Sequence, residues 1–108
     1  MNFCVILTLT PNFEEARKIA RSLVENNLAA CVNIVQNVTS VYRWKEEIQE
    51  DSEFLLFIKT QKTLFDKVKQ SIRDLHSYEL PEIIMLPIEN GQKNFLSWIE
   101  QETRHDTK

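Results

Sequence analysis

An α+β fold is predicted for this chain of 108 residues by three features of its sequence. Two nearly continuous apolar runs, Phe3 to Thr10 and Phe54 to Thr60, read as strands covered by neighbours. Apolar residues then recur at helical spacing, first at Phe13, Ala16, Ala20, Leu23 and Val24 and again at Leu64, Phe65, Val68, Ile72 and Leu75. A long extended stretch lies between the first helix and the second apolar run, and a short strand follows the second helix. The order β-α-β-β-α-β with one further helix is the split βαβ arrangement of the ferredoxin-like sandwich, built on an antiparallel sheet. The length suits one domain, residues 1–108, with a modest core.

Each element has a local reason. Pro11 or Asn12 opens the first helix, and Asn12 with Glu15 matches a capping box. Asn26-Asn27 can end that helix in left-handed geometry. Leu28 to Val35 becomes extended, Gln36-Asn37 interrupts it, and Val38 to Ile48 resumes it. Ile83 to Ile88 is a short strand whose Pro87 confines it to an edge or a strand end. Asn90-Gly91 turns, and Phe95, Leu96, Trp98 and Ile99 pattern the last helix, with a frayed end expected from Arg104 onward. Because the chain has one glycine, asparagines are expected to supply most positive-φ positions.

Composition narrows the function classes. Apolar residues make up 43% of the chain and charged residues 27%, with a net charge of -3, which gives no basic footprint for nucleic acid. No apolar run approaches a membrane span, and no signal peptide is evident at the N-terminus, so the expected location is the cytoplasm. Cys4 and Cys31 both sit in apolar segments and read as free thiols. One glycine excludes a phosphate loop or a dinucleotide fingerprint, and no catalytic motif is recognisable, so an enzyme is not expected.

Two regions stand out. Thr39 to Glu47 would span about 30 Å as a strand, an overhanging ribbon that exposes Tyr42 and Trp44 unless the last helix or a neighbouring copy covers them. A neighbouring copy is the expected cover, with Tyr42 and Trp44 in the interface. The second region is His76-Ser77-Tyr78-Glu79-Leu80-Pro81-Glu82, which joins a helix to a strand. If the last helical turn persists, His76 and Glu79 face the same way, a spacing that can chelate a divalent metal with Glu82 or Cys31 as further donors. A helix-terminal histidine that caps carbonyls is the plainer alternative. Lys59 ends an apolar strand and either meets one of those carboxylates or extends its ammonium to water.

Four stretches give the chain a wider likeness: Leu28 to Ile34, Ser40 to Trp44, Phe57 to Thr60 and His76 to Ile88. In their order and spacing the chain resembles the CutA divalent-ion tolerance family over nearly its whole length. The resemblance implies a homotrimer with long hairpins crossing between subunits, and a cleft near each interface around Cys31, Lys59, His76, Tyr78 and Glu82. It also implies a link to tolerance of copper and other divalent ions, and a likeness to PII-type signalling trimers. Departures are visible: Glu46 replaces a usual glycine, Ser77 a usual proline and Phe95 a common tyrosine. Thr8 and Leu75 stand where some copper-binding members carry a cysteine and a second histidine.

The first functional expectation is therefore a trimer that binds Cu(II) or another divalent cation through His76, with Cys31, Glu79 and Glu82 as candidate donors and no organic cofactor. The second is a signalling or scaffold trimer whose cleft takes a small anion or protein tail through Lys59, Tyr78 and Trp44. An enzyme using His76 and Glu82 ranks last. Self-association is the expected partnership, without nucleic acid or membrane.

Overall fold

The computed structural model describes residues 2–104. Its elements run β1 (Phe3–Thr10), α1 (Phe13–Glu25), β2 (Cys31–Trp44), β3 (Glu47–Gln61), α2 (Phe65–Leu75), β4 (Ile84–Pro87) and α3 (Lys93–Glu102), with a short 3-10 turn at Lys62–Leu64. The strands form one sheet in the order β2-β3-β1-β4, and every neighbouring pair is antiparallel. This is the expected α+β ferredoxin-like arrangement. β4 lies at an edge, which accommodates the missing amide of Pro87. Of the frayed end expected from Arg104, residues 105–108 lie outside the described residues.

The pleat of the two central strands divides the molecule. Cys4, Ile6, Thr8 and Thr10 of β1 alternate toward one face and are buried there with Leu56, Ile58 and Thr60 of β3. Against them pack Ala16, Ile19 and Leu23 of α1 and Val68 and Ile72 of α2, so both helices present their apolar stripe to the same side. The alternate β1 residues, Phe3, Val5, Leu7 and Leu9, are only half buried. α3 shelters just the root of that second face, where Leu96 and Ile99 meet Ala30, Phe3 and Ile88.

Asn12 caps α1 as expected, its side-chain oxygen accepting the Glu15 amide at 2.8 Å. The carboxylate of Glu15 accepts from the backbone N–H of Ser77 at 2.9 Å, so it serves the loop after α2. Asn27 (φ 58°) turns the chain out of α1 and Asn37 (φ 60°) sits in the interruption of β2, as asparagines should in a glycine-poor chain. Lys45 (φ 51°) and Glu46 (φ 70°) also adopt positive φ, whereas Gly91 does not. Trp44 pairs with Glu47, which leaves Lys45 and Glu46 as a two-residue hairpin loop, and the type I′ form of such loops has positive φ at both positions.

The interruption in β2 is a bulge. Between Val35 and Val38 the partner strand advances by one residue fewer, from Leu55 to Glu53. Before it, Val32 and Ile34 share the helix-covered face with Ile58 and Leu56; after it, even-numbered residues of β2 lie opposite Glu53, Asp51, Gln49 and Glu47 and turn to the other face. β1 ends opposite Phe54, so the ribbon from Val38 to Glu53 projects beyond the sheet and draws the molecule out to 48 × 28 × 21 Å.

Candidate functional site

The ribbon and the loop after α2 enclose a groove of about 710 Å³. Its floor and walls come from Leu9 at the end of β1, Ser40 to Trp44 of β2, Glu53 of β3, and Ser77 to Leu80 with Glu82. The bulge at Asn37 is what brings Tyr42 and Trp44 to this side, because an unbroken pleat would have turned them toward the helices.

His76 sets the loop. The last helical turn does not persist to Glu79: α2 ends at Leu75 and His76 is already extended, with φ −84° and ψ 140°. The i,i+3 chelate expected of His76 and Glu79 therefore loses its geometric basis. The imidazole is fully enclosed. Its Nε2 lies 2.6 Å from the carbonyl oxygen of Leu9, which can only accept, so Nε2 carries the proton. Nδ1 accepts the Tyr78 amide at 3.1 Å and lies 3.2 Å from the Glu15 carboxylate. Nε2 thus anchors the loop to β1, Nδ1 braces the loop internally, and the Ser77 amide ties it to Glu15 of α1.

Tyr78 follows and carries the loop onto the ribbon, donating its phenol to Glu53 at 2.6 Å. Glu53 is only 4% exposed. Burial, then the bond to Glu53 and its negative charge, push the Tyr78 phenol well above its ordinary pKa. On the ribbon Tyr42 donates to Asp51, and that bond raises the Tyr42 phenol too.

The expected site residues separate into two groups. Trp44, Tyr78, Glu79 and Glu82 line the groove together, whereas Cys31 and Lys59 do not. Cys31 pairs with Lys59 and Lys59 with Val5, four residues along β1 from the Leu9 that holds His76, or about 13 Å. Lys59 meets none of the carboxylates expected for it; its ammonium lies over the Phe95 ring, 5.8 Å from the centroid. Cys31 is half buried, its thiol 3.7 Å from the side-chain oxygen of Asn33. Among the described residues, no three His, Cys, Asp or Glu side chains converge to hold a metal ion. The residues that sequence reading missed are Glu53, Arg43 and Leu9. In the sequence Glu53 sits among Glu46, Glu47, Glu50 and Asp51, and only the fold sets it apart, since it is buried where the others are exposed.

The comparisons with known proteins agree with this architecture. Residues 4–102 match the model of the CutA1 divalent ion tolerance protein family. The chain belongs to this family. The divalent-cation tolerance protein CutA of Thermus thermophilus is 48% identical over 99 residues, covering 92% of this chain and 96% of the relative. Human protein CutA is 47% identical over 93 residues, and the match spans only 52% of that longer relative. Among solved structures, Cut A1 of Thermus thermophilus superposes with a TM-score of 0.92 at 47% identity, covering 94% of this chain and 99% of the other. CutA1 of Oryza sativa superposes at 0.93 with 39% identity, covering 98% and 97%. Glu46, in left-handed backbone, closes the hairpin without a glycine.

Proposed function

We propose that this CutA1 family member serves tolerance of divalent cations as a cytoplasmic homotrimer, taking copper or another divalent ion as its cargo at sites completed between subunits. The observation that carries this reading is the incompleteness of the single chain. The projecting ribbon leaves Val41 64% and Ile48 63% exposed, and α3 stays at the root of the sheet without reaching them. Open strand edges and uncovered apolar surface of this kind favour association with further copies. The donors are incomplete in the same way. Cys31 supplies a soft sulfur and Glu79 and Glu82 supply oxygens, yet they lie in different parts of one subunit. Both cysteines are free thiols, in keeping with a reducing compartment. The role is binding, since the imidazole that a catalytic base would need is committed to the fold.

The test is the mass in solution and metal content of protein purified without an affinity tag, followed by Cu(II) titration. A trimer is expected, with affinity lowered by Cys31→Ser or Glu82→Gln. His76→Ala should leave copper affinity unchanged while lowering the unfolding midpoint, because the ring holds the loop and faces no solvent. A monomer, or copper affinity lost only with His76, would overturn the reading.

The groove favours a second reading, small-ligand sensing. A cavity of about 710 Å³ falls in the range of small-molecule sites, and it combines apolar walls with a few fixed polar groups.

A further inference from the structure

Resting on that second reading, we propose that the groove binds a small organic cation, an amine or guanidinium on an apolar tail, with Glu53 as counter-charge and Trp44 and Tyr78 as aromatic lining.

The argument starts at Glu53. Its side chain lies where β1 has just ended, opposite Phe54, so no further strand covers it. It is nevertheless 4% exposed, enclosed by the loop whose Tyr78 donates to one carboxylate oxygen. Among the described residues, no lysine, arginine or histidine nitrogen forms an ion pair with it. A carboxylate taken out of water with one neutral donor and no counter-charge is costly, and a cation entering the groove would relieve that cost.

The rest of the lining selects the kind of cation. Glu53, Glu79 and Glu82 stand against the single guanidinium of Arg43, and Arg43 belongs to the alternate side of the ribbon pleat, opposite Ile48. That balance disfavours the small anion expected from the sequence, and Lys59, the cation meant to hold it, lies outside the groove. A bare divalent ion needs several donors converging on one point, which the carboxylates here do not do. A diffuse organic cation needs no such convergence. It is recognised by aromatic faces together with nearby negative charge, and Tyr42, Trp44 and Tyr78 supply the faces. Leu9 and Leu80 give an alkyl tail an apolar wall.

The experiment is isothermal titration of the full chain, in its native assembly, with four probes sharing one tail: butylguanidinium, butylammonium, 1-butanol and butyrate. The two cations are expected to bind about tenfold or more tightly than 1-butanol, and less tightly as sodium chloride is raised. Glu53→Gln keeps an acceptor for the Tyr78 phenol and removes the charge, so it should abolish the preference for cations over 1-butanol. Should that variant fail to fold, Trp44→Ala should weaken the cations while Trp44→Phe retains them. Equal binding of 1-butanol, or an unchanged preference in Glu53→Gln, overturns the proposal. Preferential binding of butyrate overturns it while leaving a ligand groove in place. No binding by any probe, with the groove filled by a neighbouring subunit, overturns both.

Discussion

Tyr78 donates its phenol to Glu53 at 2.6 Å, joining the loop after α2 to a strand residue 25 positions earlier. The bond couples the two regions that stand out in the sequence, the ribbon and the histidine-led loop, and it gives the groove its closed end.

That pair has a pH signature. The folded phenol titrates above its ordinary value of 10.0, through burial first and then through Glu53. Its stabilising bond is fully present below pH 10, because the phenol is then neutral in folded and unfolded chains alike. Above pH 10 the unfolded chain releases the proton while the folded one retains it, so stability falls as pH climbs toward the folded value. At pH 7, Tyr78→Phe should be less stable by about 1 kcal/mol or somewhat more, since it removes a hydrogen-bond donor from a buried carboxylate. Urea unfolding at matched protein concentration should show that difference constant to about pH 9.5 and narrowing above pH 10. Tyr42 shifts in the same direction but is present in both proteins, so it cancels.

A second prediction concerns the core. Three threonines of the central strands are fully buried, Thr8, Thr10 and Thr60. Thr10 donates to the Asn12 carbonyl at 2.9 Å and Thr60 to the Leu28 carbonyl at 2.6 Å. The Thr8 hydroxyl has no hydrogen-bond partner among the described residues. Thr8→Val, which replaces that hydroxyl with a methyl of similar size, should stabilise the protein by about 1 kcal/mol. Thr60→Val should destabilise it, because the Leu28 carbonyl would lose its donor. Denaturation midpoints of the two variants should move in opposite directions.

The hairpin loop supplies a third. Glu46 has a φ of 70° in a position that suits glycine. A side chain in left-handed backbone costs about 1 kcal/mol, so Glu46→Gly should raise stability by roughly that amount. A lowered midpoint would show that the Glu46 side chain makes a contact worth more than the strain.

How much of this was legible follows from what kind of signal each feature leaves. The fold was, because Phe3 to Thr10 and Phe54 to Thr60 are continuous apolar strands and both helices keep strict 3.6-residue spacing. The groove was legible only in halves. Tyr42, Trp44, Tyr78, Glu79 and Glu82 were expected at sites, but their meeting depends on the bulge at Asn37, which shifts register without leaving a pattern in composition. For His76 the sequence left a metal ligand paired with Glu79 beside a histidine bonding helix carbonyls; it shows where a helix pattern weakens, not that the ring folds back to a carbonyl of β1. Lys59 went astray for a related reason: its partner, the Phe95 ring, lies on the last helix, whose docking position has no sequence signal.

The last prediction tests the assembly through the far side of the ribbon. Val41 lies opposite Glu50 and Arg43 opposite Ile48, so Val41 and Ile48 are diagonal neighbours on the face turned away from the groove. They are the most exposed apolar residues of the ribbon, at 64% and 63%. Tyr42 and Trp44, expected from the sequence to sit in the interface, face the groove and are less exposed, Tyr42 at 40%. If subunits pack on this ribbon, a charge on the outward face meets a desolvated neighbour, whereas the same charge on a solitary ribbon meets only water. Ile48→Asp should therefore shift sedimentation toward smaller species, while circular dichroism of the remaining fold stays near that of the wild type. Trp44→Ala separates the two faces: it should weaken the groove's ligands and disturb the assembly less than Ile48→Asp does. An Ile48→Asp protein that sediments as the wild type would remove this face from the interface.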